Sequence, residues 1–324
     1  MIDMNVLVNQ LIELFIIICL GYMMFKIRIL NEDVNKNINA LVVKVTMPCM
    51  ILSSVLAIDN SSRPNAGTVT SLFAVSIGFF ILMPILAIVI VKIMLKTLRI
   101  IKARQGAYMF MLIFSNVGFM GIPVIRAATG DQANVAVFYA AVLNIFFNLA
   151  VFTYGVAMIC YGDESNAKFQ WKSLLSPGII SALLGLIVYV IGFHFPPALS
   201  SVNHAITTVG ELTSPLAMIL VGSTLASMKF QEVFNEWRIY VFALIKQILL
   251  PLALYPFYRF LIKDDLLLTV MFIEFLMPVA NISLILCTQY NLDKKFASKV
   301  IFITTLLSLC SIPLVLYLCR IIYA

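Results

Sequence analysis

Ten stretches of this chain are each long and apolar enough to cross a membrane. They cover approximately residues 5–25, 37–58, 69–95, 106–127, 133–160, 173–194, 203–227, 237–262, 266–289 and 296–322. A spanning helix needs about 20 mostly apolar residues. Inside lipid every backbone polar group must pair internally, so each run is a helix or a barrel strand. Barrel strands alternate apolar and polar residues, and runs such as 14–20 and 81–91 do not. The expected fold class is therefore an all-α integral membrane protein with ten transmembrane helices. Composition agrees: 62% of residues are hydrophobic and 11% charged, against roughly 45–50% and 25% in soluble chains. The first run reads as a retained span rather than a signal peptide. Asp3 precedes it, Gln10 and Glu13 interrupt it, and Lys26 and Arg28 follow it.

The net charge of +7 does not point to nucleic acid, because the positive residues sit in short loops. Lys and Arg in such loops mark the cytoplasmic side. With the N-terminus outside, fifteen lie in cytoplasmic loops and five outside. The chain is thus expected in the cell membrane, multi-pass, with both termini extracellular. The six cysteines lie in or at the ends of spans, without a CxxC pair, and there are two histidines. Those cysteines are expected to pack as small apolar residues, with no metal and no cofactor. Neither a phosphate-binding G-x-x-x-x-G-K-[ST] loop, an H-E-x-x-H pair nor a G-x-S-x-G elbow occurs, so no enzyme is expected.

Ten spans divide into two halves of five, and an odd number inverts the second copy relative to the first. Span 2 carries Thr46-Met47-Pro48 followed by Met-Ile-Leu, and span 7 carries Thr213-Ser214-Pro215 followed by Met-Ile-Leu. The offset of 167 residues also sets Lys44 opposite Glu211, two in-span charges expected to pair as a structural bridge. Spans 4 and 9 each hold a mid-span proline, Pro123 and Pro278.

Span 4 reads SNVGFMGIP over residues 115–123, placing Gly118, Gly121 and Pro123 within six positions. Proline removes a donor and clashes with the preceding turn, and glycine favours unwinding. Unwound backbone at membrane depth is tolerated only against protein or a watery cavity. Two broken helices meeting near the midplane would direct N-terminal N–H groups, each end worth about half a positive charge, at an anion. Ser115, Asn116, Asn281 and Ser283 supply polar side chains there. Asn144 and Asn148, four apart on span 5, share one helix face and are expected to turn toward the break. Charges within spans are costly and usually functional. Glu274, one turn before Pro278, is a candidate for a coupling proton or for pairing with Lys246.

NVGFMGIP at 116–123, and MPVA followed by QYNLD within 277–293, resemble the auxin efflux carrier family, plant PIN-type carriers and bacterial members alike, over essentially the whole chain. The resemblance implies a fold like that of sodium/proton antiporters and bile-acid transporters. Residues 1–160 would form the first five-helix repeat, 161–172 a short cytoplasmic linker and 173–324 the second repeat. Spans 1, 2, 6 and 7 would be a scaffold, homodimeric in the family. Spans 3–5 and 8–10 would form a moving transport domain with its crossing at Pro123 and Pro278. Asn116 matches a substrate-contacting asparagine of the family, whereas Val279 and Ala280 stand where the family has Gln and Gly. The function implied is secondary transport of a small organic anion, a carboxylate of auxin-like or dicarboxylate type, by an elevator motion within the lipid bilayer. The rivals are an anion channel, for which no filter-like repeat is present, and a membrane-embedded sensor, for which no loop is long enough to hold an output domain.

Overall fold

A computed structural model describes residues 4–58, 64–161, 177–192, 200–227 and 235–323. All of their regular elements are helical. The expected linker at 161–172 lies, from residue 162 on, outside the described residues.

The first half contains α1 (Met4–Lys26), α2 (Glu32–Leu41), α3 (Met47–Leu56), α4 (Ala66–Thr97), α5 (Gln105–Ile113), α6 (Ile122–Thr129), α7 (Ala133–Ala150) and α8 (Val156–Ile159). The second contains α9 (Pro177–Ile191), α10 (Ser200–Glu211), α11 (Thr213–Ser227), α12 (Trp237–Leu244), α13 (Leu250–Leu261), α14 (Asp265–Leu276), α15 (Ile282–Gln289) and α16 (Lys294–Tyr323). Side chains set several starts by accepting orphan N–H groups. Asn31 caps α2 through Val34 N, Asn65 caps α4 through Thr68 N, and Asp264 caps α14 through Leu267 N.

Within the described residues each apolar run is mostly helical, with non-helical backbone at 114–116 and 277–281. Among the described residues, six helical stretches are long and apolar enough to cross a membrane: Glu32–Leu56, Ala66–Thr97, Val117–Ile159, Ser200–Ser227, Trp237–Leu261 and Lys294–Cys319. The third doubles back on itself. Gly130, at φ 51, turns the chain where a Cβ would be strained, and α6 packs on α7.

Among the described residues, four π-helical turns interrupt the helices: Val42–Thr46, Val117–Gly121, Val151–Gly155 and Ile245–Leu249. Three of them end two residues before a proline, at Pro48, Pro123 and Pro251. A proline ring collides with the carbonyl four residues back, and a widened turn makes room for it. Pro123 therefore bulges its helix without breaking it. The expected break in span 4 lies earlier, at residues 114–116, between α5 and the π turn.

The helices sort by burial. Every residue of α5 from Gly106 to Ile113 is buried, and α7 and α14 are buried along most of their length. These three form the centre. Outside them, α4 exposes Ile77, Ile81, Ile85 and Ile88, and α9 exposes Ile180, Leu184, Ile187 and Ile191. Residues three and four apart share a helix face, so each outer helix presents an apolar stripe that water would penalise and lipid accepts. Helix α1 lies along α11, and α3 packs against α9 and α10. The first contact is close: a Cβ on Gly222 would stand 1.9 Å from Ile18 O, and one on Gly21 2.2 Å from Ile219 O.

Candidate functional site

The break in the second-half helix follows directly from its proline. The residue before a proline is pushed to extended backbone, and Met277 adopts φ −59, ψ 149, ending α14. The chain re-enters helix at Ile282. The break between α5 and the Val117–Gly121 turn has no such local cause. Phe114 is extended and Asn116 sits at φ −78, ψ 62. Its partner supplies the reason, because the two breaks lie against each other. Ser115 and Val279 form an antiparallel bridge. Asn116 N donates to Pro278 O at 2.7 Å, and Ala280 N donates to Phe114 O at 3.1 Å. Each unwound segment thus satisfies the other's backbone, as burial requires. Two helix N-termini, at Val117 and Ile282, and two C-termini, at Ile113 and Leu276, meet at this point.

The crossing is tied to the π turn at Ile245–Leu249. Lys246, with no solvent exposure, donates through Nζ to Ser115 Oγ at 2.9 Å and to Leu112 O at 3.4 Å. An ammonium beside the orphan carbonyls of a helix C-terminus is favourably placed. Ser115 Oγ in turn donates to Phe275 O at 3.4 Å. On the other side Thr304 Oγ1 accepts from Val279 N at 3.2 Å, and Gln247 Nε2 donates to Thr304 O at 2.8 Å. Adjacent residues of one π turn therefore hold both faces of the crossing. A cavity borders it, lined by Ser115, Val117, Leu143, Phe147 and Glu274 among others. It measures about 20 Å³, room for about one water.

The structure brings together Ser115, Asn116, Pro278 and Lys246, with Glu274 on the cavity wall. The side-chain amides of Asn116 and Asn281 make no hydrogen bond among the described residues, whereas Ser283 Oγ is occupied by Ala280 O. Gly118 and Gly121 lie in the π turn, where an added Cβ would meet only ordinary contacts at 3.5 Å. Asn148 bonds back to Asn144: its Nδ2 donates to Asn144 O and Oδ1 at 2.7 and 3.0 Å. Their neighbours Leu143 and Phe147 line the cavity instead, one helical position round. The expected bridge between Lys44 and Glu211 is not made. Lys44 is exposed, and Glu211 lies 4.0 Å from Arg126 Nη2. Nor do Glu274 and Lys246 form an ion pair.

Sequence reading missed Gln247 and Thr304. An amide beside an in-span lysine was a usable signal for the first. The second had none, since hydroxyls in helices commonly bond back to the preceding turn. It also missed a charge cluster at one end of the molecule. Arg104 Nη1 lies 2.7 Å from Glu236 Oε1 and Nη2 lies 2.7 Å from Asp293 Oδ2, with the guanidinium 4.7 Å from the Phe296 ring centre. It joins the starts of α5, α12 and α16.

A family model described as membrane transport protein matches residues 6–316. The chain belongs to the membrane transport protein family. The resemblance to auxin efflux carriers holds, because this is the family that contains them. An uncharacterized transporter of Methanocaldococcus jannaschii is 25% identical over 97% of this chain and 98% of its own. The uncharacterized transporter YfdV of Escherichia coli is 21% identical over 97% and 98%. A Rhizobium meliloti protein whose name proposes malonate as its transported substrate is 27% identical over 64% of this chain and 65% of its own. The transporter is thus a multi-pass membrane protein.

Proposed function

We propose that the transporter is a secondary carrier of a small organic anion, a mono- or dicarboxylate, working by an elevator-type alternating-access motion. The observation that carries this reading is the hydrogen-bonded crossing of two broken helices, with Lys246 beside it. Helix N-termini present unpaired N–H groups and positive partial charge. The free amides of Asn116 and Asn281 flank them, and a fully buried ammonium adds a formal charge. A carboxylate suits that combination. The name of the Rhizobium relative makes malonate the first substrate to try.

The body plan follows the resemblance: two inverted five-helix repeats, 1–160 and 173–324, giving ten spans with both termini extracellular. The packing of α1 on α11 and of α3 on α9 and α10 supports a scaffold of spans 1, 2, 6 and 7, through which two copies would associate. Spans 3–5 and 8–10 carry the crossing. Reconstitution into proteoliposomes tests the reading. Malonate, oxalate, malate or an aromatic acetate on both sides should give counterflow of the labelled acid. Absence of counterflow across such a panel would overturn it, and unitary currents would replace it with a channel.

A further inference from the structure

The crossing contains one buried base and one acid, and they share a neighbour. Lys246 donates to Ser115 Oγ, and Ser115 and Glu274 both line the cavity. Glu274 Oε1 is buried without a hydrogen-bond partner. The walls around it are apolar, chiefly Phe79, Phe80, Phe147 and Met271. Other titratable groups on the surrounding elements are engaged or remote. Tyr258 of α13 packs its ring on Phe79 and Phe275. Tyr154, in the π turn after α7, gives its hydroxyl to Phe80 O. Arg126 of α6 faces Glu211. The lysines of α4 and α16 sit at the helix ends, at Lys92, Lys96, Lys294, Lys295 and Lys299. Among the described residues, Lys246 is thus the positive group bonded to this cavity's lining, through Ser115.

A single buried ammonium can compensate one negative charge at a time, because an uncompensated ion in apolar surroundings is costly. Two carboxylates competing for it repel each other, and one of them must bind a proton. We propose that Glu274 and the transported carboxylate share Lys246 in turn, so that the anion binds only when Glu274 is protonated and each anion crosses with one proton. When the anion leaves, Glu274 gives its proton to water on that side and its carboxylate takes over the charge of Lys246 through Ser115. Before the next anion binds, Glu274 takes a proton from water on the loading side. Proton and charge are conserved at each step, and no bond to carbon changes. This coupling rests on the anion-carrier reading and adds to it what drives transport.

The test uses radiolabelled malonate with reconstituted full-length protein. In wild type, an inwardly directed proton gradient should drive malonate accumulation and alkalinise the outer medium. Glu274→Gln should make malonate counterflow independent of pH and lose gradient-driven accumulation. Glu274→Asp should restore it. Infrared difference spectra need no transport: malonate added to wild type should raise the carbonyl band of a protonated carboxyl, and Glu274→Gln should lack that band. Accumulation by Glu274→Gln at the wild-type level overturns the coupling, as does counterflow in wild type without the carboxyl band. If wild type neither binds nor exchanges malonate or any other acid of the panel, the carrier reading itself falls and takes the coupling with it.

Discussion

Replacing Lys246 by methionine removes one ammonium and keeps most of the side-chain volume. A lone ammonium in apolar surroundings is itself costly, and Glu274 can take up a proton once the charge is gone, so Lys246→Met should fold and melt close to wild type. Its anion affinity should fall by about 2 kcal/mol or more, roughly thirtyfold, since a buried charge partner is lost. Titration calorimetry with malonate checks the second point and thermal unfolding the first. Thr304 should behave in the opposite way. Thr304→Val strips Val279 N of its acceptor, and a buried orphan donor costs about 1–3 kcal/mol. Thermal unfolding in detergent should register that loss, and Thr304→Ser should recover it. These two residues mark how far single positions could be read in the sequence. Lys246, Glu274, Ser115 and Asn116 stand out because polar groups within apolar spans are costly and must have a use. Asn144 and Asn148 stand out equally, yet they bond to each other. Composition registers that an amide is buried; it does not register whether a partner one turn away already engages it.

At the scale of elements, helix type and approximate limits follow from run length, and the second break follows from Pro278 acting on Met277. The first break does not follow from Pro123. It lies in Phe114–Asn116, residues without a strong breaker, and exists because the opposing segment, far along the chain at Pro278–Ala280, pairs with them. No local pattern contains that information. The π turns are partly legible in hindsight, since three of the four stand just before a proline. The glycines give a direct test of which close approaches matter. Gly222→Ala puts a methyl 1.9 Å from Ile18 O, so α1 and α11 must separate along an interface where small residues allow backbones to meet. Folded yield and melting temperature should both drop markedly. Gly78→Ala on α4 meets nothing within 4 Å and should remain within about 0.5 kcal/mol of wild type, as surface substitutions usually do.

At the scale of the whole molecule, the elevator reading requires that some contacts persist through the cycle while others slide. The ring of Phe138 on α7 stacks on that of Tyr189 on α9 at 4.5 Å, which would be a contact between the moving body and the scaffold. Arg104 and Asp293 touch at the starts of α5 and α16, both within the proposed moving body. Cysteine pairs at these two places, in a chain whose six native cysteines have been replaced, separate the possibilities. A short bifunctional thiol reagent joining Phe138→Cys to Tyr189→Cys should stop malonate counterflow, because α7 would be fastened to an element that stays behind. The same reagent joining Arg104→Cys to Asp293→Cys should leave counterflow largely intact, because it ties together parts that travel as one. A channel with a fixed pore has no such asymmetry: neither staple blocks it unless it plugs the pore. If the first staple leaves transport unchanged, α7 does not move against α9, and the division into a scaffold of spans 1, 2, 6 and 7 and a moving remainder is wrong however well the crossing binds its anion.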